Sequence, residues 1–212
     1  MKSGSHFHFK QFSIAHDRCT HKVGTDGVLL GAWVNIKNVS DVLEVGTGSG
    51  VIAVSIAVNI PDAKIIATDI SADALAVAKK NADKFDVGHR IEFVQCDLLP
   101  PKSESFTIAP HLDLICANLP YIPTESLRSL PIYGREPTLA LDGGEDGLAL
   151  IRRLLRIAPQ WLAPDGVILL EIESTRGIQA LDLACDLFPE ADIHLHQDLA
   201  GQDRLLEIRF SV

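Results

Sequence analysis

Residues 41–59 have the sequence DVLEVGTGSGVIAVSIAVN, in which a short apolar run and a longer one flank three closely spaced glycines. The short run contains β-branched residues and predicts a strand, whereas the longer run has the length and spacing of a helix. Gly46, Gly48 and Gly50 let the chain turn sharply and approach a ligand closely, and the start of the helix leaves backbone N–H groups free. The stretch therefore predicts a strand, a ligand-binding turn and a helix in succession.

The same alternation continues along the rest of the chain. Short β-type runs lie at 41–45, 64–68, 91–96, 112–117 and 166–172. Runs with helical spacing lie at 51–59, 72–85, 146–162 and 177–187, and two last β-type runs lie at 191–196 and 205–210. Alternating strands and helices are typical of a parallel sheet with its ligand crevice at the carboxyl ends of the strands. We therefore predict an α/β, Rossmann-like fold: a mostly parallel seven-stranded sheet with helices on both faces and an antiparallel edge strand.

Length and composition limit the class of protein to which this chain can belong. A chain of 212 residues fits one domain, no stretch approaches the ~18 apolar residues of a membrane helix, and the first ten residues lack the apolar core of a signal peptide. The four cysteines form no C-x-x-C pair and are typical of a reducing compartment, so we expect a cytoplasmic protein without a membrane contact. The net charge of −9 disfavours general binding to nucleic acid, although residues 1–40, with five Lys or Arg and two acids, carry +3.

Acidic residues at the ends of three successive strands indicate the ligand. The G-x-G-x-G spacing after Glu44 differs from the G-x-G-x-x-G of pyrophosphate-binding loops and suits S-adenosyl-L-methionine, whose cationic amino group an acid would meet. Asp69 is placed for the ribose hydroxyls, and Asp97 for the adenine amino group. Asp69 could instead cap the next helix, although Ser71 already supplies that cap. The predicted cofactor-binding residues here are Glu44, Gly46, Thr47, Gly48, Gly50, Asp69, Ile70, Asp97 and Leu98.

The fourth strand ends in Asn118-Leu119-Pro120-Tyr121, which we predict to be the catalytic motif. The nitrogen of an amide or aryl amine has a delocalised lone pair and attacks a sulfonium methyl group poorly. The Asn118 side-chain carbonyl and the Leu119 backbone carbonyl can each accept one N–H of such a group, while Tyr121 stacks on its flat face. The pattern predicts an N-methyltransferase in which Asn118 also borders the cofactor.

The connection at 119–145 is long and contains four prolines, so we expect a substrate loop there. Other polar residues carry weaker signals. His194 and His196 would share one face of a strand, but without a third ligand they indicate a surface pair, and we predict no metal site. Asp198, Asp203 and Arg204 are expected to organise the last hairpin.

Residues from about 41 to 212 resemble the release-factor glutamine methyltransferases, the HemK/PrmC family. The resemblance lies in the segments ANLPYIP (117–123), REP (135–137), ALDGGEDGL (140–148), EI (171–172) and DLAGQDR (198–204). It implies substrate binding by Asn118, Tyr121, Glu136 and Pro137, and a peptide chain release factor as the partner. The family's helical N-terminal domain is not found in these residues, and neither is a glutamine expected shortly after Glu171-Ile172.

Residues 9–33 instead resemble the family of tRNA adenine N6-methyltransferases that modifies valine tRNA. The segments FKQF (9–12), HDRC (16–19) and KVGTDGVLLGAW (22–33) carry this resemblance, which implies that Thr25 and Asp26 contact the methionine end of the cofactor. We therefore expect residues 1–40 to be an N-terminal segment packed by the cofactor site and 41–212 to be the methyltransferase domain, in a single domain overall.

Three functions are compatible with these features of the sequence. Glutamine N5-methylation of release factors is favoured, because loops at the strand ends make most contacts with an acceptor. Adenine N6-methylation of tRNA is the alternative, supported by the basic N-terminal segment. A cofactor-binding module without catalysis is disfavoured by the intact motif from Asn118 to Tyr121.

Overall fold

A computed structural model describes residues 39–100 and 111–211 in full, and the backbone of two short strands, β1 (His6–His8) and β2 (Ser13–Ala15), which pair antiparallel. The resemblance at 9–33 and the proposed contacts of Thr25 and Asp26 lie outside the described residues. The chain divides into two compact units, Met1–Ile108 and Ala109–Val212, which are described separately below.

The first unit contains three parallel strands in the order β5, β4, β3. Its elements are β3 (Asp41–Val45), α1 (Val51–Asn59), β4 (Lys64–Asp69), α2 (Ala72–Lys84) and β5 (Ile91–Gln95). Helix α1 is apolar nearly all round and seven of its nine residues are buried, so it forms part of the core. The Arg90 guanidinium donates to the carbonyls of Ala57, Ile60 and Ala63, at 2.6, 3.1 and 3.3 Å, and so closes the carboxyl end of α1.

The second unit contains four strands in the order β6, β7, β9, β8. Its elements are β6 (Leu112–Ala117), α3 (Thr124–Ser129), α4 (Ala149–Ile157), β7 (Leu162–Glu171), α5 (Gly177–Leu187), β8 (Asp192–Gln197) and β9 (Asp203–Arg209). Strands β6 and β7 are parallel, whereas β9 runs antiparallel to both β7 and β8. The seven strands β3–β9 make up one mixed sheet, and the prediction of a mostly parallel sheet with an antiparallel end is confirmed.

The last hairpin is organised by Asp198, as the sequence predicts. Its carboxylate accepts from the backbone N–H groups of Ala200 and Gln202, at 2.8 and 3.0 Å, and from Arg204 Nε at 3.1 Å. These hydrogen bonds, led by the one from Gln202, lower the pKa of the Asp198 carboxyl. Asp198 therefore fixes the turn that joins β8 to β9.

The structure differs from the sequence-based prediction at three places, and the first is strand β7, which begins at Leu162 instead of at residue 166. The helix expected at 146–162 is α4 followed by a 3₁₀ turn, Ala158–Trp161, because Pro159 has no N–H and its ring would collide with the carbonyl four residues earlier. Asp146 lies before the helix, where it accepts from Leu148 N at 3.0 Å. The connection at 119–145 is also more regular than expected, since it contains α3 and a 3₁₀ turn at Thr138–Ala140.

Candidate functional site

The glycine turn after β3 has an unusual backbone. Gly46, Gly48 and Gly50 have φ values of 71°, 54° and 79°, a region that L-residues with a Cβ rarely adopt. A Cβ on Gly50 would lie 2.9 Å from Ala78 Cβ of α2, so the turn packs directly on that helix. A Cβ on Gly48 would meet no described atom within 4 Å. The turn is thus held tightly on one side and, among the described residues, leaves space beside Gly48.

Glu44 lies directly beneath this turn and is fully buried. Its Oε2 accepts from Thr47 Oγ1 at 2.6 Å and from Ala53 N at 3.0 Å, whereas its Oε1 has no hydrogen-bond partner among the described residues. Burial, and to a lesser extent the nearby charge of Asp69, raises the pKa of Glu44 from 4.5 to about 8. This pKa favours the protonated form of the carboxyl group at neutral pH.

The same contacts fix the position of Thr47, which is predicted from the sequence to bind the cofactor. Thr47 is 3% exposed and its hydroxyl donates a hydrogen bond to Glu44 Oε2. Its backbone N–H donates to the Thr68 carbonyl at 2.8 Å. The side chain of Thr47 therefore shapes the turn from within, and its contact with a ligand stays a prediction.

Asp69, at the end of β4, is oriented by two backbone groups. Oδ2 accepts from Gly48 N at 2.9 Å, and Oδ1 accepts from Ser71 N at 2.8 Å. Ser71 itself caps α2, because its side chain accepts from Ala74 N at 3.3 Å. Each carboxylate oxygen of Asp69 has a further lone pair for a ligand hydroxyl. Ile70 follows it with 48% of its surface exposed.

The segment after β5 carries a strained residue. Leu98 has a φ of 65°, which costs a bulky L-residue about 1–2 kcal/mol, and it is nonetheless buried. Thr68 Oγ1 donates to the Leu98 carbonyl at 2.7 Å and holds the strained conformation in place. Strain of this kind clusters at ligand-binding sites. Asp97, the predicted adenine contact, is the exposed residue immediately before it.

Sequence reasoning missed two polar residues that support the candidate cofactor site of the first unit. Thr68 is one, and Asn81 is the other, since its amide donates to the Ser49 carbonyl of the glycine turn at 2.9 Å. Asn81 lies on the buried stripe of α2 with Ala74 and Ala78. A polar residue on an otherwise apolar helical stripe is the signal by which it could have been found.

The Asn118–Tyr121 motif directly follows β6. The Asn118 side chain is half-buried and makes no hydrogen bond within the described parts of the chain. Leu119 is 5% exposed, and Pro120 and Tyr121 are half-buried. The motif thus joins an anchored apolar side chain to an amide that is available to a ligand.

The loop predicted to bind substrate forms hydrogen bonds with the chain just after this motif. The predicted substrate residues Glu136 and Pro137 lie before the 3₁₀ turn at Thr138–Ala140, with Glu136 half-buried and Pro137 exposed. Beyond that turn, Ile122 N donates to the Leu141 carbonyl at 3.0 Å, and Gly143 N donates to the Ile122 carbonyl at 2.8 Å. The loop is thereby hydrogen-bonded to the residue that follows the motif.

Neither a metal site nor a membrane helix is found among the described residues. No group of three or more His, Cys, Asp and Glu side chains there could hold a metal ion. His194 pairs with Asp192 at 3.0 Å and His196 with Glu207 at 2.6 Å, as separate pairs. No described helix has the length and apolar content needed to span a bilayer.

Comparison with known proteins shows which proteins this chain is similar to. Residues 42–130 match the family described as "Methyltransferase domain". The release factor glutamine methyltransferase of Moorella thermoacetica is 44% identical over 164 residues, which are 77% of this chain and 56% of that protein. The chain is a homologue of the release factor glutamine methyltransferases. It is also 43% identical over 142 residues, 66% of this chain and 46% of the relative, to the ribosomal protein uL3 glutamine methyltransferase of Burkholderia pseudomallei.

The chain spans about half the length of these glutamine methyltransferases. The ribosomal protein L11 methylase of Lactobacillus delbrueckii subsp. bulgaricus has a similar fold, with a TM-score of 0.63 at 20% identity, over 94% of this chain and 84% of that one. The Rossmann-like methyltransferase fold expected from the glycine turn is confirmed, and so is the resemblance of residues 41–212 to the glutamine methyltransferases. The resemblance of residues 9–33 to a tRNA methyltransferase finds no counterpart among these relatives.

Proposed function

We propose that this chain transfers a methyl group from S-adenosyl-L-methionine to the side-chain amide nitrogen of a glutamine in a protein, with a peptide chain release factor as the first substrate to test. The main support for this proposal is the similarity to two relatives, at 44% and 43% identity. Both are named glutamine methyltransferases, but one is named for release factors and the other for ribosomal protein uL3. Because both names specify methylation of glutamine, the methylated residue type is better supported than the identity of the substrate protein.

The first unit offers groups that suit the cofactor. Glu44 Oε1, which has no partner among the described residues, suits a cationic amino group once the carboxyl releases its proton. The oriented carboxylate of Asp69 suits the ribose hydroxyls, and the exposed Ile70 suits the apolar face of adenine. Asp97 and Leu98 would border the base, and Thr25 and Asp26 the methionine end. When bound, the cofactor supplies a methyl group on a sulfonium centre, which is an electrophile without any metal.

The acceptor motif suits an amide nitrogen. The Asn118 side-chain carbonyl and the Leu119 backbone carbonyl accept the two N–H groups of the glutamine amide and favour its pyramidalisation. Pro120 fixes the backbone φ angle directly after the Leu119 carbonyl, and Tyr121 stacks on the planar amide. The amide proton can leave after transfer, so no general base is needed beforehand.

The test is transfer of labelled methyl from S-adenosyl-L-methionine into purified release factor, ribosomal protein uL3 and tRNA. We expect label in a protein glutamine, its loss when that glutamine is replaced by Ala, and its loss in the Asn118→Ala enzyme. Neutralising Lys10, Arg18 and Lys22 should leave protein methylation unchanged. Robust, salt-sensitive methylation of tRNA without protein methylation would overturn the proposal, because steep salt dependence is the mark of phosphate contacts.

A further inference from the structure

The segment at 141–147 is bound to the chain after Tyr121 by a short ladder of backbone hydrogen bonds. Besides the two bonds of Ile122, the ladder includes Thr124 N, which donates to the Gly144 carbonyl at 2.9 Å. Ala149 N in turn donates to the Gly143 carbonyl at 3.0 Å and connects the ladder to the start of α4. The backbone after the acceptor motif is therefore tied to a helix in the core of the second unit.

Two glycines of this segment lie directly against Tyr121. A Cβ on Gly143 would be 2.7 Å from Tyr121 Cα, and a Cβ on Gly147 would be 2.4 Å from the Tyr121 carbonyl oxygen. Real Cβ atoms do not approach backbone atoms this closely, so any larger residue must displace Tyr121 or its own segment. Gly147 also has a φ of 79°, which is a second and separate reason for glycine.

Asp142 fastens the same segment through its side chain. Its Oδ1 accepts from Thr124 Oγ1 at 2.7 Å and from Gly144 N at 2.9 Å. One oxygen atom thus joins the loop at 142–144 to the first residue of α3. An Asn at this position would keep an Oδ1 acceptor, whereas an Ala would not.

We propose that Asp142, Gly143 and Gly147 form a positioning clamp, which fixes the backbone of Tyr121 and hence the geometry of the acceptor motif. The clamp rests on the proposed function, since it positions the residues assigned there to the amide. Its members act through Tyr121 and need not touch the substrate. Hydrogen-bond acceptors and a stacking ring are effective only within about 0.5 Å of the productive arrangement, and a misplacement of about 1 Å can reduce a rate a hundredfold.

Gly147→Ala tests the clamp against a matched control, Gly201→Ala. Gly201 has a φ of 74°, close to that of Gly147, but a Cβ there would meet no described atom within 4 Å. Both variants carry the same backbone strain, and both should melt a few degrees lower. Only Gly147→Ala should also lose kcat, about ten- to a hundredfold, while its KM and its Kd for S-adenosyl-L-methionine change less than threefold.

Asp142 provides a second pair of variants in case Gly147→Ala does not fold. Asp142→Ala should lower kcat at least tenfold, and Asp142→Asn should restore most of it. Equal losses in Gly147→Ala and Gly201→Ala, or wild-type kcat in Asp142→Ala, would overturn the clamp.

Amide hydrogen exchange tests the clamp without any activity. The amides of Ile122, Thr124 and Gly143 should exchange at least tenfold faster in Gly147→Ala and Asp142→Ala, and at the wild-type rate in Gly201→Ala and Asp142→Asn. Unchanged exchange in the first two variants would overturn the clamp. A wild-type protein that methylates no glutamine would overturn the proposed function alone, because the exchange rates would still decide for or against the clamp.

Discussion

Replacing Glu44 by Gln should make stability less dependent on pH. In the folded chain burial raises the pKa of Glu44 to about 8, whereas the unfolded chain has the ordinary value of 4.5. Between these values the folded state holds a proton that the unfolded state has released, so stability falls as pH rises. The slope is about 1.4 kcal/mol per pH unit, which amounts to about 5 kcal/mol above pH 8. This is comparable with the whole stability of many domains.

The Glu44→Gln substitution isolates this effect. The new side-chain amide can accept from Thr47 Oγ1 and Ala53 N through its Oε1, as Glu44 accepts from them, and it has no proton to lose. Its NH₂ group lies buried without a described partner, which adds a cost of about 1–3 kcal/mol that is independent of pH. The ionisation of Glu44 is therefore measured by how the free energy of unfolding changes with pH in the two proteins. A difference in that free energy at one pH would not isolate it.

The assay is urea unfolding of wild type and Glu44→Gln from pH 5 to pH 8.5, with Glu190→Gln as the control at an exposed carboxyl. The stability of wild type relative to Glu44→Gln should fall by several kcal/mol across this range. At pH 8.5, where the Glu44 carboxyl can ionise, Glu44→Gln should bind S-adenosyl-L-methionine about ten- to a hundredfold more weakly than wild type, since a charge-assisted contact with the cationic amino group is lost. A constant difference in unfolding free energy from pH 5 to 8.5 would refute the assignment of a buried, protonated Glu44.

Three further substitutions test separate parts of the site. Asp69→Ala should weaken S-adenosyl-L-methionine about ten- to a hundredfold in calorimetry, because charge-assisted hydrogen bonds worth ~1.5–3 kcal/mol are lost; unchanged affinity would remove Asp69 from the cofactor site. Asn118→Ala should leave that affinity nearly intact and cut turnover about a hundredfold or more, and near-normal turnover would rule out its orienting role. Thr68→Val should lower the free energy of unfolding by about 1–3 kcal/mol, because the Leu98 carbonyl loses its donor; stability equal to wild type in urea would contradict that role.

The parts of the fold that could be predicted are those determined by a few neighbouring residues in the sequence. Gly46, Gly48 and Gly50 predict the turn, and all three have positive φ. Ser71 predicts the start of α2, and its side chain caps that helix. Pro159 could have predicted the early end of α4, but the apolar spacing continued past it and dominated the interpretation.

The parts that could not be predicted depend on partners far apart in sequence. The bond between Thr124 and Asp142 joins residues 18 positions apart, and no local pattern links them. Helix α3 has only six residues, too few to show a helical period among the prolines of its loop. The burial of Glu44 was equally hidden, since an acid before a glycine turn indicates a ligand contact and gives no sign of its protonation.

The space beside Gly48 has a consequence for cofactor engineering. Because no described atom lies within 4 Å of a Cβ there, Gly48→Ala costs chiefly the backbone strain of a φ of 54°, about 1–2 kcal/mol. The same change at Gly50 would also push on Ala78 of α2. Under the proposed function, position 48 is therefore a place at which the chain could be made selective between S-adenosyl-L-methionine and synthetic sulfonium donors of greater bulk, with the neighbouring packing left unchanged.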